Sequence, residues 1–331
     1  MRPLLSGSLC LFLQACVSYP DAPAPIAPPV MASNVVQSID GALLGLQRWP
    51  AEEPIAVIIA VHGMNDYSNN FALPGQWWAQ NAAITTYAYD QRGFGRSPGF
   101  GHWAGRETMI ADLRAVIAAA RRQHPGLPIY VLGHSMGAAV VMAAEAEASL
   151  GADGLILAAP GVWGGAAMPF PYRLSLNIAA SMAPGKKLTG ERAERQATDN
   201  IPILREMYRD PRVIKETRLD AVLGVVRIMG AAYGAADEIN GDVLFLIGEK
   251  DEIIPVKAME RTARRLCGNV DIRRYDTGWH LLFRDLQAEI VWRDVSDWIA
   301  IQINQKNAAG EARPASPAAF ICAGANNKAS H

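Results

Sequence analysis

The 331-residue chain has no lysine- or arginine-rich run: 31 basic side chains stand against 32 acidic ones, for a net charge of −1. Arg264-Arg265 and Arg273-Arg274 are isolated pairs, so the basic stripe that a nucleic-acid partner requires is missing. Beyond the N-terminal segment no apolar stretch is long enough to span a bilayer, since residues 219–236 are interrupted by Asp220 and Arg227. There is no internal repeat, phosphate loop, dinucleotide fingerprint or cluster with metal-ligand spacing, and no cofactor is expected. Four cysteines cannot staple a chain of this size. With half its residues apolar, it is long enough to bury a full core without them.

Two of those cysteines, Cys10 and Cys16, lie in a segment that starts Met1-Arg2 and continues through a short apolar stretch to Leu13. A charged start with a brief hydrophobic core is the pattern of an export signal. Leu13-Gln14-Ala15-Cys16 resembles a bacterial lipobox, with Gln14 unusual in it, and makes Cys16 the candidate for lipid attachment. The prolines from Pro20 to Pro29 fit neither helix nor sheet and predict an extended tether. The expected organisation is a signal or lipoprotein peptide over 1–16 and a tether over 17–33. The expected location is the bacterial cell envelope, held to the membrane by that lipid; a secreted or periplasmic protein is the alternative. Cys267 and Cys322 can form one bridge in an oxidising compartment, or remain a buried thiol and a tail cysteine.

From residue 35, strands and helices alternate. A hairpin is predicted around Asp40-Gly41, followed by strands over 55–61, 84–89, 129–132, 155–159, 243–247 and 270–275. Helices are predicted over 76–82, 106–122, 138–148, 256–266 and 286–303. Apolar strands separated by amphipathic helices predict an α/β fold, a mostly parallel sheet covered on both faces. The alternation breaks between residues 161 and 240, where helical patterns carry Trp163, Met168, Phe170, Tyr172, Met207 and Met229 without a strong strand. This interval reads as an inserted helical cap, with the core over 34–160 and 241–304 and a disordered tail over 305–331.

Gly133-His134-Ser135-Met136-Gly137 joins a strand directly to a helix, the setting of a nucleophile elbow. Flanking glycines are needed because so sharp a turn leaves no room for side chains two residues either side of the serine. A serine hydroxyl needs a base, and the base needs an orienting carboxylate. Asp251 follows the 243–247 strand on the sheet's carboxyl side and is the chosen acid. Glu249 and Glu252 on the same loop, and Asp237 or Asp242, are its rivals. His280 follows the 270–275 strand and is the chosen base; His62 and His134 read as turn-shaping residues, and His102 is ambiguous. The oxyanion of a tetrahedral intermediate needs two preorganised donors, for which the main-chain N–H groups of Met136 and Met64 are placed. The methionine side chains then have only a pocket to line.

His62-Gly63, residues 89–97 with Asp90 and Arg92, the elbow, residues 248–255 and Gly278-Trp279-His280 together resemble the α/β-hydrolase superfamily. Within it they look most like the monoacylglycerol lipase and lysophospholipase-like branch, also called serine aminopeptidase S33 or Hydrolase_4. The resemblance spans residues 35–303 and implies Ser135 as nucleophile, Asp251 as acid, His280 as base, and Met64 and Met136 as oxyanion donors. It departs at Ala138, where many relatives have a second glycine, a change for helix packing rather than chemistry. A serine where epoxide hydrolases and haloalkane dehalogenases carry aspartate implies acyl transfer. The leading expectation is a serine hydrolase for monoacylglycerol- or lysophospholipid-type esters. An aminopeptidase using Glu191, Glu194, Asp199 or Glu206, and a non-catalytic envelope module, are the competing readings.

Overall fold

A computed structural model describes residues 17–189 and 195–311, with side chains through residue 308. Among these residues a nine-stranded sheet runs in the order β1-β2-β3-β5-β4-β6-β7-β10-β11. The strands are β1 (Val30–Met31), β2 (Val35–Gln37), β3 (Leu43–Trp49), β4 (Ala56–Val61), β5 (Ile84–Tyr89), β6 (Ile129–His134), β7 (Gly154–Ala158), β10 (Asp242–Gly248) and β11 (Asn269–Tyr275). The first three pair antiparallel, β3 joins β5 antiparallel, and every pairing from β5 to β11 is parallel. The sheet is therefore mostly parallel, as its fully buried central strands required.

Alternation along β4 builds two cores. Val57, Ile59 and Val61 face one side with α2 (Arg106–Gln123), α3 (Met136–Glu147) and α7 (Val256–Ala263). Ala56, Ile58 and Ala60 face the other, where Trp78 of α1 (Ala72–Asn81) and Val291, Val295 and Trp298 of α8 (Ala288–Glu311) cover them. Helix α2 carries Glu107 in its first turn and Arg121 and Arg122 in its last, the polarity the helix dipole favours. At the far edge, β11 turns Asp271, Ile272, Arg273 and Arg274 outward.

Between β7 and β10 the chain forms the cap: α4 (Phe170–Met182), β8 (Lys187–Thr189), α5 (Ile201–Arg209), β9 (Glu216–Arg218) and α6 (Leu219–Gly234). It is not purely helical, because β8 and β9 pair as an antiparallel ribbon. Three-residue strands leave too short a pattern to stand out in the sequence.

Other expected boundaries shift. The sheet begins at Val30 rather than residue 34, since β1 pairs with β2. Helix α8 runs to Glu311, past residue 305 where a tail was expected; Asn307 through Ala309 do not break a helix already nucleated over several turns. Residues 17–33 are extended, as their prolines dictate, but they are not a free tether. Ile26 and Ala27 N–H groups donate to Ile39 O, and the Tyr19 hydroxyl donates to Asp220 O at 2.7 Å. Cys267 is disulfide-bonded. Cys10, Cys16, Cys322, Glu191 and Glu194 lie outside the described residues. Among the described residues no helix is long and apolar enough to cross a membrane.

Candidate active site

The turn from β6 to α3 puts Ser135 at φ 54° and ψ −118°, in the positive-φ region that side chains avoid. Its N–H donates to Ala158 O and its carbonyl accepts from Gly161 N–H, so both neighbours hold the strained peptide. The glycines answer to space. A Cβ on Gly137 would lie 2.0 Å from Val61 O, and one on Gly133 would lie 2.4 Å from the Ala138 Cα.

His280 Nε2 lies 2.9 Å from Ser135 Oγ, and its Nδ1 lies 2.7 Å from Asp251 Oδ2. All three side chains are buried. The other Asp251 oxygen accepts the N–H groups of Ile253 and Ile254 at 2.8 and 2.9 Å, which fixes the carboxylate on its loop. The rivals are engaged elsewhere: Glu249 pairs with Arg274, Asp237 with Arg265, Asp242 with Asn269, and Glu252 accepts from Gln196 N–H.

Met136 stands in the first turn of α3, where N–H groups have no partner within the helix. Met64 follows Gly63, whose bare Cα lets the 62–65 turn approach Ser135; a Cβ there would lie 3.2 Å from Ser135 Cβ. Ser135, Met64 and Met136 share one cavity of about 610 Å³, walled by apolar side chains that include Trp163, Leu176, Val225 and Met229. His62 holds the turn in place. It donates from Nδ1 to Gly63 O and accepts Gln91 N–H at Nε2, and burial keeps it neutral by lowering its pKa.

Asp90 and Arg92 are structural. Asp90 accepts from Ser68 and Arg96 main-chain N–H groups, which hold its carboxyl below the usual range against the cost of burial. Arg92 bridges Asp40 and Asp112 at 2.6 and 2.8 Å.

Three further features are legible only in three dimensions. His134 spans from Asn70 Nδ2, 3.1 Å from its Nδ1, to His280 O, 2.9 Å from its Nε2, and burial drives its pKa down to about 3. Asp285 accepts Trp279 N–H at 2.7 Å beside His280, and burial raises its carboxyl to about 6. The cap segment 195–200 stitches the two loops together, with Gln196 N–H on Glu252, Leu281 N–H on Ala197 O and Leu286 N–H on Asp199. The only hint in the sequence was the position of His134 next to Ser135.

A parallel sheet with its serine at the β6–α3 elbow, an acid after β10, a histidine after β11 and a cap over the serine defines an α/β-hydrolase. The chain belongs to the Hydrolase_4 family, serine aminopeptidase S33, whose profile matches residues 52–287. It is 26% identical over 268 residues to the monoacylglycerol lipase of Mycolicibacterium smegmatis, covering 79% of this chain and 94% of that protein. It is 22% identical over 270 residues to human monoglyceride lipase, covering 79% and 88%. Among solved structures, the monoacylglycerol lipase of Paleococcus ferrophilus superposes with a TM-score of 0.67 at 21% identity, covering 78% of this chain and 99% of that one. A soluble variant of the Saccharomyces cerevisiae monoglyceride lipase gives 0.65 at 17% identity, covering 86% and 99%.

Proposed function

We propose that the protein is a carboxylic ester hydrolase that cleaves monoacylglycerol- or lysophospholipid-type esters through an acyl-enzyme on Ser135. The observation that carries this reading is the hydrogen-bonded chain Asp251, His280, Ser135 opening into an apolar cavity of about 610 Å³. Ser135 Oγ attacks the ester carbonyl carbon while His280 Nε2 takes its proton, and Asp251 stabilises the imidazolium. The N–H groups of Met64 and Met136 receive the oxyanion. His280 then hands the proton to the departing alkoxide, and water repeats the sequence in reverse to free the fatty acid. Monoacylglycerol and monoglyceride lipases among the relatives support this substrate class.

The test is hydrolysis of an acyl-chain series of esters, monoacylglycerols included, with Ser135→Ala as control. Turnover that peaks at medium or long chains and disappears in the variant supports the reading. No Ser135-dependent turnover on any ester sends the search to peptides. A free amino terminus would want a carboxylate facing it, and the cavity at Ser135 has apolar walls instead.

Attachment to a cell envelope through lipid on Cys16 is a second proposal, supported by the sequence 13–16. Cys16→Ser should abolish palmitate labelling and membrane retention; labelling that persists excludes it.

A further inference from the structure

Helix α6 has two working faces. Val222, Val225, Val226 and Met229 form part of the cavity wall at Ser135. The opposite face, at Asp220, Gly224 and Arg227, meets the N-terminal segment and a core loop. Trp103 of that loop packs so tightly on α6 that a Cβ on Gly224 would lie 2.5 Å from its indole. Tyr19 fills the corner beside it. Its ring stands edge-on to Trp103 at 6.4 Å, the Arg227 guanidinium lies 5.4 Å over its face, and its hydroxyl donates to Asp220 O. Arg227 Nη1 donates in turn to Val17 O at 2.9 Å. Val17 packs on Ala180 of α4 and Leu219 and Leu223 of α6, joining the two cap helices that bound the cavity.

The same segment is fastened to the core a few residues on. The bare Cα of Gly105 receives Pro20 O, where a Cβ would lie 2.9 Å away, and Thr108 Oγ1 reaches Asp21 O. Ile26 and Ala27 then bond Ile39, and β1 enters the sheet. Prolines between these points restrict the chain before it docks, so little conformational entropy is lost on docking. The segment itself, residues 17–31, lies outside residues 52–287, the part matched by the family, whereas Trp103, Gly105, Thr108 and α6 lie within it.

We infer that residues 17–21 are a strap that clamps α6 against the core and thereby sets the acyl-chain selectivity of the Ser135 cavity, with Tyr19 as its positioning residue. The inference rests on the ester-hydrolase reading. A wall of valines and methionine that shifts outward loses contact with the distal part of a long acyl chain. A short acyl group bound at the elbow has fewer carbons to place against that wall.

The experiment measures kcat/KM of the full chain and its Tyr19→Ala and Tyr19→Phe variants on p-nitrophenyl esters from acetate to palmitate, with Ser135→Ala as the blank. Tyr19→Ala should lower the laurate and palmitate values by about fourfold or more, the worth of one buried methylene, with acetate changed less than about twofold. Tyr19→Phe keeps the ring between Trp103 and Arg227 and should restore most of the long-chain preference. Equal losses on acetate and palmitate, or no change on either, overturn the strap. A second readout needs no turnover: in Ser135→Ala protein, amide exchange across Leu219–Gly234 should quicken on adding Tyr19→Ala. Unchanged exchange overturns the strap even if no ester is hydrolysed, whereas quickened exchange without Ser135-dependent turnover overturns the substrate reading alone.

Discussion

The imidazole of His134 donates from Nε2 to the main-chain carbonyl of His280 at 2.9 Å. The residue before Ser135 thus holds the backbone of the histidine that is hydrogen-bonded to the Ser135 hydroxyl. His134→Phe removes this donor and the partner of Asn70 inside a buried site, at a cost of about 1–3 kcal/mol per unsatisfied group. The expected kinetic result is a kcat at least about tenfold lower with KM changed little, because His280 moves relative to Ser135 while the apolar cavity is intact. A purely structural role predicts a lower Tm with kcat preserved in the surviving folded fraction.

His134 also shapes the acid limb of stability. Its pKa is depressed to about 3 in the folded protein, so between that value and about 6.5 the unfolded chain binds a proton that the folded chain does not. Stability therefore falls as pH drops through this window, by up to about 1.4 kcal/mol per pH unit from this group alone. His134→Gln can still donate to His280 O and accept from Asn70 without titrating. Urea midpoints between pH 7 and pH 4 should decline less steeply in that variant, and parallel slopes would refute the assignment.

Asp285 has the opposite sign. Burial raises its pKa to about 6, so between about 4 and 6 the folded chain holds the extra proton and stability falls as pH rises. At neutral pH it is mostly ionised, and keeping that charge buried costs the folded state stability. Asp285→Asn keeps an oxygen for Trp279 N–H and should be more stable than the parent at pH 7.5, by on the order of 1 kcal/mol after allowance for solvent screening. The gain should vanish near pH 4. Thermal melts at the two pH values check this, and a gain of equal size at both would point to packing rather than charge.

Gly137→Ala should be far more damaging than its single methyl suggests. The added Cβ meets the Val61 main-chain carbonyl at 2.0 Å, and, being fixed by the backbone on both sides, neither atom can give way by a change of rotamer. Overpacking of this kind costs about 1–3 kcal/mol or more, and relief would come only by displacing the elbow. Expression as soluble protein and Ser135-dependent turnover should both drop. Gly99→Ala is the comparison, since no atom lies within 4 Å of its position and only its positive φ is strained.

Much of this could be read from the chain before any coordinates. The strands leading to Ser135 and Asp251 are continuous apolar runs bounded by turn residues, the edge strand leading to His280 mixes Val270 and Ile272 with charged residues, and each delivers its side chain to the same end of a parallel sheet. What escaped had no local signature. The β8–β9 ribbon is too short to show a period, and the docking of residues 17–33 depends on Trp103 and Arg227, far away in the sequence. The bond between His134 and His280 joins positions 146 residues apart. Proline correctly indicated extended backbone but says nothing about what that backbone lies against.

The outward charges of β11 bear on how copies of this molecule meet. An open sheet ends in unpaired N–H and C=O groups, a template on which another strand can add. Here the far edge carries Asp271 paired with Arg273 at 2.9 Å and Arg274 paired with Glu249, so an incoming strand would have to displace or bury ion pairs. The opposite edge is a two-residue strand preceded by Pro28 and Pro29, with too few free groups to hold a partner. Neither margin invites the sheet to continue into a neighbour, which protects the molecule from edge-to-edge aggregation at high concentration.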